Sequence, residues 1–311
     1  MNAKIKVISV NISEKKGTIK HQVGSIELNS FGVKGDAHAG TWHRQVSMLG
    51  TESIDKFTQS SGLPVKYGEF AENITTEGME LYKAQPGDRF VGDNVELEVT
   101  QIGKLCHGDG CAIYRQVGSC VMPKEGIFVR VLKSGKLKPG DVLEFTPKVF
   151  KVKIITLSDR ASKGEYEDKS GPEIEKLISE FFVNSSWQFA IDKVIIADDT
   201  KLLKQYLLSA SMASYDIIFT TGGTGIGPRD ITPDVVKPLI DKEIPGIMEM
   251  IRLKYGAENP HALLSRGIAG TMGKSFIYTL PGSVKAVREY MAEIVKTQKH
   301  LFLMLMGIDS H

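Results

Sequence analysis

The sequence predicts two domains of different class. Residues 1–147 read as a β-barrel-like half, and residues 150–308 as an α/β half built on a mostly parallel sheet. Three observations predict this. The chain has 311 residues, which suggests two domains as a prior. Up to Thr146-Pro147-Lys148 it is dominated by short strand-like runs separated by Gly/Asp turns. From Val149 onward the pattern alternates strand-like runs with helical-period ones, and that alternation is how a doubly wound sheet reads in sequence.

In the first half the strand-like runs are Ile5–Val10, Val46–Leu49, Val95–Ile102, Ile127–Leu132 and Val142–Phe145. Pro86-Gly87-Asp88 and Pro139-Gly140-Asp141 punctuate them as turns. A helix is expected over Glu52–Gln59 with Thr51 as its cap. Polar residues gather in one loop stretch: Lys34, Asp36, His38, His43 and Arg44, with Asn73 further on. Loops carried on a barrel are where sites occur, though any one of these residues also reads as ordinary solvated loop chemistry.

Cys106–Cys120 reads CHGDGCAIYRQVGSC. Three thiols and His107 lie in this short run, but the spacing is not a standard zinc pattern. The protein is expected in the cytoplasm, where thiols stay reduced. Cys106 follows a strand and enters a glycine-rich loop. It could be an exposed, partly ionised thiol fit to carry sulfur or bind a soft metal. It could equally be a small buried hydrophobe, a reading that suits Cys120 in SCVMP best.

The second half begins with a strand, Phe150–Leu157, ending in Ser158-Asp159-Arg160. Pro172–Phe182 has helical spacing, with Ile174, Leu177, Ile178 and Phe181 apolar. Phe189–Ala197 is a strand ending in Asp198-Asp199, after which Thr200 is expected to cap a helix over Lys201–Ala213. Asp216–Thr221 is a buried strand that breaks into Gly222-Gly223-Thr224-Gly225. Thr232-Pro233-Asp234 then opens a helix, with Thr232 as its expected cap and Pro233 in its first turn. Gly246–Lys254 is a further helix, bearing Glu249 and Arg252. Ser275–Leu280 is the last strand, ending in Pro281-Gly282-Ser283, and Ser283 caps a long helix through Leu303.

Ligands of such sheets bind at the carboxyl ends of the strands. Four ends here carry glycine or polar groups, and four on one edge point to an active site. Glycines let backbone N–H groups approach a phosphate, Arg229 can hold one, and a carboxylate beside it can hold Mg²⁺. The loop lacks the P-loop lysine and is not GxGxxG, and neither NAD nor pyridoxal phosphate is expected. Asp198 and Asp230 are the candidate metal and positioning carboxylates, although both could simply cap helices. Ser265-Arg266 offers a hydroxyl and a cation for a second anionic ligand, or a helix-end serine and a solvated arginine. This inventory favours phosphoryl or nucleotidyl transfer by positioning and metal charge over covalent catalysis.

Composition excludes other classes. There are 19 Lys and Arg against 17 Asp and Glu in residues 1–149, and 20 against 20 in the rest, so neither half is a basic nucleic-acid platform. No apolar run approaches a membrane span. Nucleic acid and membrane are not expected partners.

Two resemblances follow from these motifs. Lys34-Gly35-Asp36 with His38, Arg44-Gln45-Val46, GEFAENIT around Asn73, AQPGDRF, Cys106 after VTQIG, and GIFVRVLKSGKLKPGDVLE with Arg130 resemble the MOSC domain, found at the C-terminus of molybdenum cofactor sulfurases. That resemblance implies a β-rich barrel in which Cys106 carries sulfur or meets the molybdenum cofactor. Cys111 and Cys120 depart from the commoner pattern. Ser158-Asp159-Arg160, Asp198-Asp199, TTGGTGIGPRDITPD, Pro245-Gly246 with Glu249 and Arg252, LLSR, and LPGS with Lys285 resemble molybdopterin adenylyltransferases of the MogA/MoaB type. That implies an α/β three-layer fold, often trimeric, transferring AMP from ATP to molybdopterin with Mg²⁺. Asp198 and Asp230 match the essential aspartates of that family. Its ligand-contacting positions imply roles for Ser158, Asp159, Arg160, Gly222, Gly223, Thr224, Gly225, Arg229, Thr232, Glu249, Ser265, Arg266, Pro281, Gly282, Ser283 and Lys285. The partners implied are molybdopterin and ATP, a homotrimer, and molybdenum-insertion or sulfurase proteins. A non-catalytic cofactor carrier and a nucleotide hydrolase are the competing readings.

Overall fold

The computed structural model describes residues 3–105 and 120–308. The chain divides into two compact units, with the boundary between Lys148 and Val149; residues 306–308 group with the first unit.

In the first unit the elements are β1 (Lys4–Ile12), β2 (His21–Val23), β3 (Ile26–Asn29), β4 (Gly32–Val33), β5 (Val46–Gly50), α1 (Thr51–Ser61), β6 (Ile74–Glu77), β7 (Arg89–Val91), β8 (Glu96–Ile102), β9 (Ile127–Lys133), β10 (Gly135–Leu137) and β11 (Val142–Thr146). Among the described residues, the strand order β11-β7-β8-β9-β5-β6-β1 closes on itself because β1 also pairs with β11. The result is a seven-stranded barrel to which β2 adds along β1. Closure removes the unpaired edges an open sheet would expose. Ile5, Val7, Val46, Met48, Phe90, Leu97, Val129 and Leu143 belong to one buried cluster.

In β1, Lys4 and Lys6 are exposed while Ile5 and Val7 are buried, the alternation of a strand with one buried face. A bulge between Val7 and Ser9 in the pairing with β6 interrupts it. Beyond the bulge Ser9 and Asn11 are buried polar residues, and β1 thereby leads from apolar core into polar site. The expected Thr51 cap is not formed: Gly50 is the N-cap of α1, without a side-chain cap, and Thr51 lies inside the helix.

The second unit runs β12 (Val149–Leu157), α2 (Asp159–Ser162), α3 (Ser170–Asn184), β13 (Gln188–Ile196), α4 (Thr200–Met212), β14 (Ile217–Thr221), α5 (Thr232–Val236), β15 (Lys242–Glu243), α6 (Pro245–Gly256), a 3₁₀ turn over Pro260–Leu264, β16 (Ala269–Met272), β17 (Ser275–Leu280) and α7 (Val284–Leu305). The sheet order is β13-β12-β14-β17-β16-β15. It is mixed. The β13–β12, β12–β14 and β14–β17 pairs are parallel, whereas β16 returns antiparallel to β17 and β15 antiparallel to β16. The expectation of a mostly parallel sheet overlooked this edge, because a tight turn through Gly273 (φ 60°) joins β16 to β17 with no helix between them.

Both faces of this sheet are covered. Ile155, Ile218 and Ile277 pack with Leu203, Leu207 and Ala210 of α4. Phe150 packs in tilted ring pairs with Phe182 of α3, Trp187 and Phe302 of α7, and Phe302 also meets Phe276. Phe276 and Ile277 are neighbours in one strand, so they point to opposite faces. Asp199, not Thr200, caps α4, its Oδ1 accepting from the Leu202 amide at 2.8 Å. Thr232 does not cap α5 either: its hydroxyl donates back to the Gly222 carbonyl at 2.8 Å. Ser283 does cap α7, accepting from the Ala286 amide at 3.3 Å.

Candidate functional site

Register places the site of the second unit. Leu157, the last residue of β12, pairs with Ile196, the last of β13. Thr156 pairs with Thr221, the last of β14, and Thr221 with Leu280, the last of β17. Four strands therefore end within one residue of the same line, and all four polar turns leave the sheet on one edge.

The glycine loop leaves from the middle of that edge. Gly222 has φ 102° and Gly223 φ 63°, a conformation side chains resist. A Cβ on Gly222 would lie 2.4 Å from the Leu157 carbonyl. The neighbouring turn is pressed against it: Gly282 lies over the Gly222 Cα, and the Thr221 hydroxyl donates to the Pro281 carbonyl at 2.9 Å. Between these turns and the 3₁₀ segment opens a cleft of about 420 Å³. It is lined by Gly223, Thr224, Gly225, Asp230, Ser265, Pro281, Gly282, Ser283 and Lys285, together with Asn259, His261, Glu289 and Tyr290.

Beside the cleft sit three carboxylates. The Asp198 amide donates to Asp159 Oδ1 at 3.0 Å, and the Asp159 amide returns a bond to Asp198 Oδ2 at 3.3 Å. Burial pushes the Asp198 carboxyl up, and the charges of Asp159 and Asp230 push it the same way. Arg229 is the compensating cation, 3.9 Å from Asp159 and largely exposed. Asp230 accepts from the Gly227 amide at 2.8 Å, and its carboxylate lies over Gly225, where a Cβ would come within 2.7 Å of Oδ2.

Arg266 is neither a solvated side chain nor a free anion ligand. Its guanidinium donates to the Gly225 carbonyl at 2.8 Å, to the Asp230 carbonyl at 2.6 Å and in a bidentate pair to Asp234 at 2.8 and 3.0 Å. It is a clamp on the glycine loop, and its backbone amide adds a bond to the Thr224 carbonyl. Ser265, one residue earlier, does reach the cleft. Ser158 caps α2 through the Ala161 amide, Arg160 lies over the Tyr166 ring, and exposed Glu249 on α6 is not among the lining residues. Thr232 is buried and bonded to the loop backbone. Lys285 lies 3.8 Å from Glu289 on the rim.

The barrel has its own polar centre. Asp36 is buried and accepts from Lys20 Nζ at 2.5 Å, Asn73 Nδ2 at 3.1 Å, and the backbone amides of Ser13 and His38. Burial pushes its carboxyl up, but the hydrogen bonds from His38 and Lys20 outweigh that and hold it well below the usual carboxylate range. His38, Arg44 and Asn73 line one small enclosed cavity with Trp42 and Lys104. The Arg44 guanidinium lies over the Trp42 ring, and its Nε is buried without a hydrogen-bond partner among the described residues. Lys34 and Arg130 do not join them: Lys34 pairs with Glu27 on the surface, and Arg130 pairs with Glu98 and the Met306 carbonyl. Cys106, His107 and Cys111 lie outside the described residues. Lys20 escaped the sequence reading because its spacing to Asp36 crosses three short strands.

Each unit matches a known domain. Residues 153–300 match the family described as a probable molybdopterin binding domain, and residues 35–144 match the MOSC domain. The chain is similar to the molybdopterin adenylyltransferase of Helicobacter pylori, 37% identical over 155 residues, which are 50% of this chain and 86% of that protein. It is 39% identical over 155 residues to gephyrin of Dictyostelium discoideum, spanning 48% of this chain and only 21% of gephyrin. A solved molybdopterin biosynthesis protein from Mycobacterium abscessus is 31% identical and covers 51% of this chain and 98% of its own, with a TM-score of 0.47. The chain belongs to the molybdopterin adenylyltransferase family of molybdenum cofactor biosynthesis proteins, the MogA/MoaB type, here joined to a MOSC domain.

Proposed function

We propose that the second unit transfers AMP from ATP to the terminal phosphate of molybdopterin. A phosphate oxygen of the pterin attacks the α-phosphorus, the bond from that phosphorus to the bridging oxygen breaks, and pyrophosphate leaves. The single observation that carries this reading is the alignment of four strand ends on one edge, bringing the glycine loop, Arg229 and three carboxylates together.

Glycine-loop amides can face phosphate oxygens across the cleft, and Arg229 and Lys285 supply positive charge at its rim. Ser158, Arg160, Glu249 and Thr232 act in this reading through loop and helix geometry rather than from the cleft wall. Asp198 and Asp230 are the residues that would hold Mg²⁺. Their fit is chemical: oxygen donors whose mutual repulsion a divalent cation relieves. Among the described residues no three acidic, histidine or cysteine side chains converge as a complete metal cage. Mg²⁺ characteristically keeps several waters and binds through one or two carboxylates plus substrate phosphates. When bound, Mg²⁺ supplies charge neutralisation on the polyphosphate.

The barrel, in the same reading, binds, sulfurates or hands on the molybdenum cofactor through His38, Arg44, Asn73 and Cys106, with Asp36 holding His38 and Asn73 in place, while Lys34 and Arg130 act outside that cavity. The protein works in the cytoplasm as a homotrimer joined through the second unit, with the domains spanning 1–147 and 150–308. Incubating the pure chain with molybdopterin, ATP and Mg²⁺ should yield an adenylylated pterin by mass, with one pyrophosphate per product. Tight pterin binding without product would replace the enzyme by a carrier.

A further inference from the structure

Ser265 stands in the cleft with both of its acceptor sites in use. The Tyr290 phenol donates to Ser265 Oγ at 2.7 Å, and the Gly267 amide donates to the same oxygen at 3.4 Å. A hydroxyl has two lone pairs and one proton. With the lone pairs engaged, the proton is left to point elsewhere, and the cleft is the open direction because Ser265 lines it.

Tyr290 is held for this task. It is 3% exposed on α7, and burial pushes its phenol up against the lowering hydrogen bond of Ser265, so it keeps the proton it donates. Its ring fits against Gly267, where a Cβ would lie 3.2 Å from the ring edge and 3.0 Å from the Thr279 carbonyl. The backbone of Ser265 is fixed as well. Its carbonyl accepts from Arg252 at 3.4 Å, and the next residue, Arg266, is clamped to the glycine loop.

We propose that Tyr290 is a positioning residue that presents Ser265 as a hydrogen-bond donor to a phosphate oxygen in the cleft. This rests on the reading of the cleft as a site for phosphorylated ligands. The phosphate can belong to the nucleotide or to the pterin, and the test separates them.

Equilibrium titrations of Mg²⁺–ATP, molybdopterin and adenosine into the full chain, its Tyr290→Phe, its Ser265→Ala and the double variant provide that test. Tyr290→Phe removes one oxygen and leaves the ring in its slot. The expected result is a rise in Kd of about fivefold for one of the two phosphorylated ligands, the size of one hydrogen bond. Ser265→Ala should weaken that ligand at least as much, the double variant should be no weaker than Ser265→Ala, and the Kd of adenosine should not move. The ligand affected identifies the source of the phosphate. A silent Tyr290→Phe, additive losses, or an equal loss for adenosine would overturn the assignment. A native chain that binds neither phosphorylated ligand would overturn the reading of the cleft itself and the assignment with it.

Discussion

Gly225→Ala is the sharpest probe of the candidate site, because the structure separates its effect on chemistry from its effect on stability. The added Cβ would lie 2.7 Å from Asp230 Oδ2 and 3.2 Å from its Cγ. Ordinary contact begins at 3.4 Å, so the carboxylate must move by about 0.7 Å. Gly225 has no positive φ, so the backbone accepts alanine without strain. The obstructing atom is the end of a side chain, which can swing away. Folding should lose no more than about 1 kcal/mol, the order of one hydrogen bond, here the one from the Gly227 amide. Activity should suffer far more, since a displacement near 1 Å can cost about 100-fold. The assay is pyrophosphate release at saturating ATP and molybdopterin, beside thermal unfolding of the same sample. In an Asp230→Asn background Gly225→Ala should add little, because the group it displaces has already lost its charge. Activity within threefold of the native chain, at unchanged stability, would refute the assignment of Asp230.

Other outcomes follow from the same geometry. Asp230→Asn should abolish ATP- and molybdopterin-dependent pyrophosphate release while Cys106→Ser leaves it intact, as steady-state assays of both would show. Lys20→Met leaves the Asp36 charge buried without its cation and should cost about 3–5 kcal/mol of stability in urea unfolding. Because the Asp36 carboxyl is held below its ordinary value, its contribution is present above the unfolded value and is lost as pH falls toward the folded one. Glu72 runs the other way. Burial pushes it up to about 7, so stability should fall as pH rises from about 4.5 to 7, by about 3 kcal/mol in all. Glu72→Gln should flatten that slope in unfolding curves taken at pH 5 and pH 8.

The sequence carries the repeating features of this fold well and its exceptions poorly. Runs such as Phe150–Leu157 and Ser275–Leu280 show as strands because burial on both faces leaves them rich in apolar residues, interrupted in the first by the charged Lys151 and Lys153. β15, with two residues, and β4, also with two, are too short to show any period. Caps fail by one residue: Asp199 and Thr200 are both good candidates, and only the backbone of Asp199, extended at φ −119° and ψ 121°, decides between them. The carboxylate and glycine positions could be read because turn chemistry at strand ends is local. Arg266 could not, since its partners lie 32 to 41 residues away in sequence. Tyr290 was hidden for a related reason: on an amphipathic helix it looks like one more core aromatic, and only its partner Ser265 gives it a different meaning. In the barrel, Lys34 and Arg130 sit in motif-like stretches, yet strand register directs both to carboxylates outside the His38 cavity.

The chain holds two tryptophans, and the fold assigns one to each unit. Trp187 is buried among Phe150, Phe181 and Phe302, whereas Trp42 is 38% exposed beneath the Arg44 guanidinium. Their emission should differ in colour and in access to a dissolved quencher. Fluorescence can therefore follow the melting of each half inside the intact chain, with no label introduced, and a ligand entering the barrel should dim or shift only the redder of the two signals.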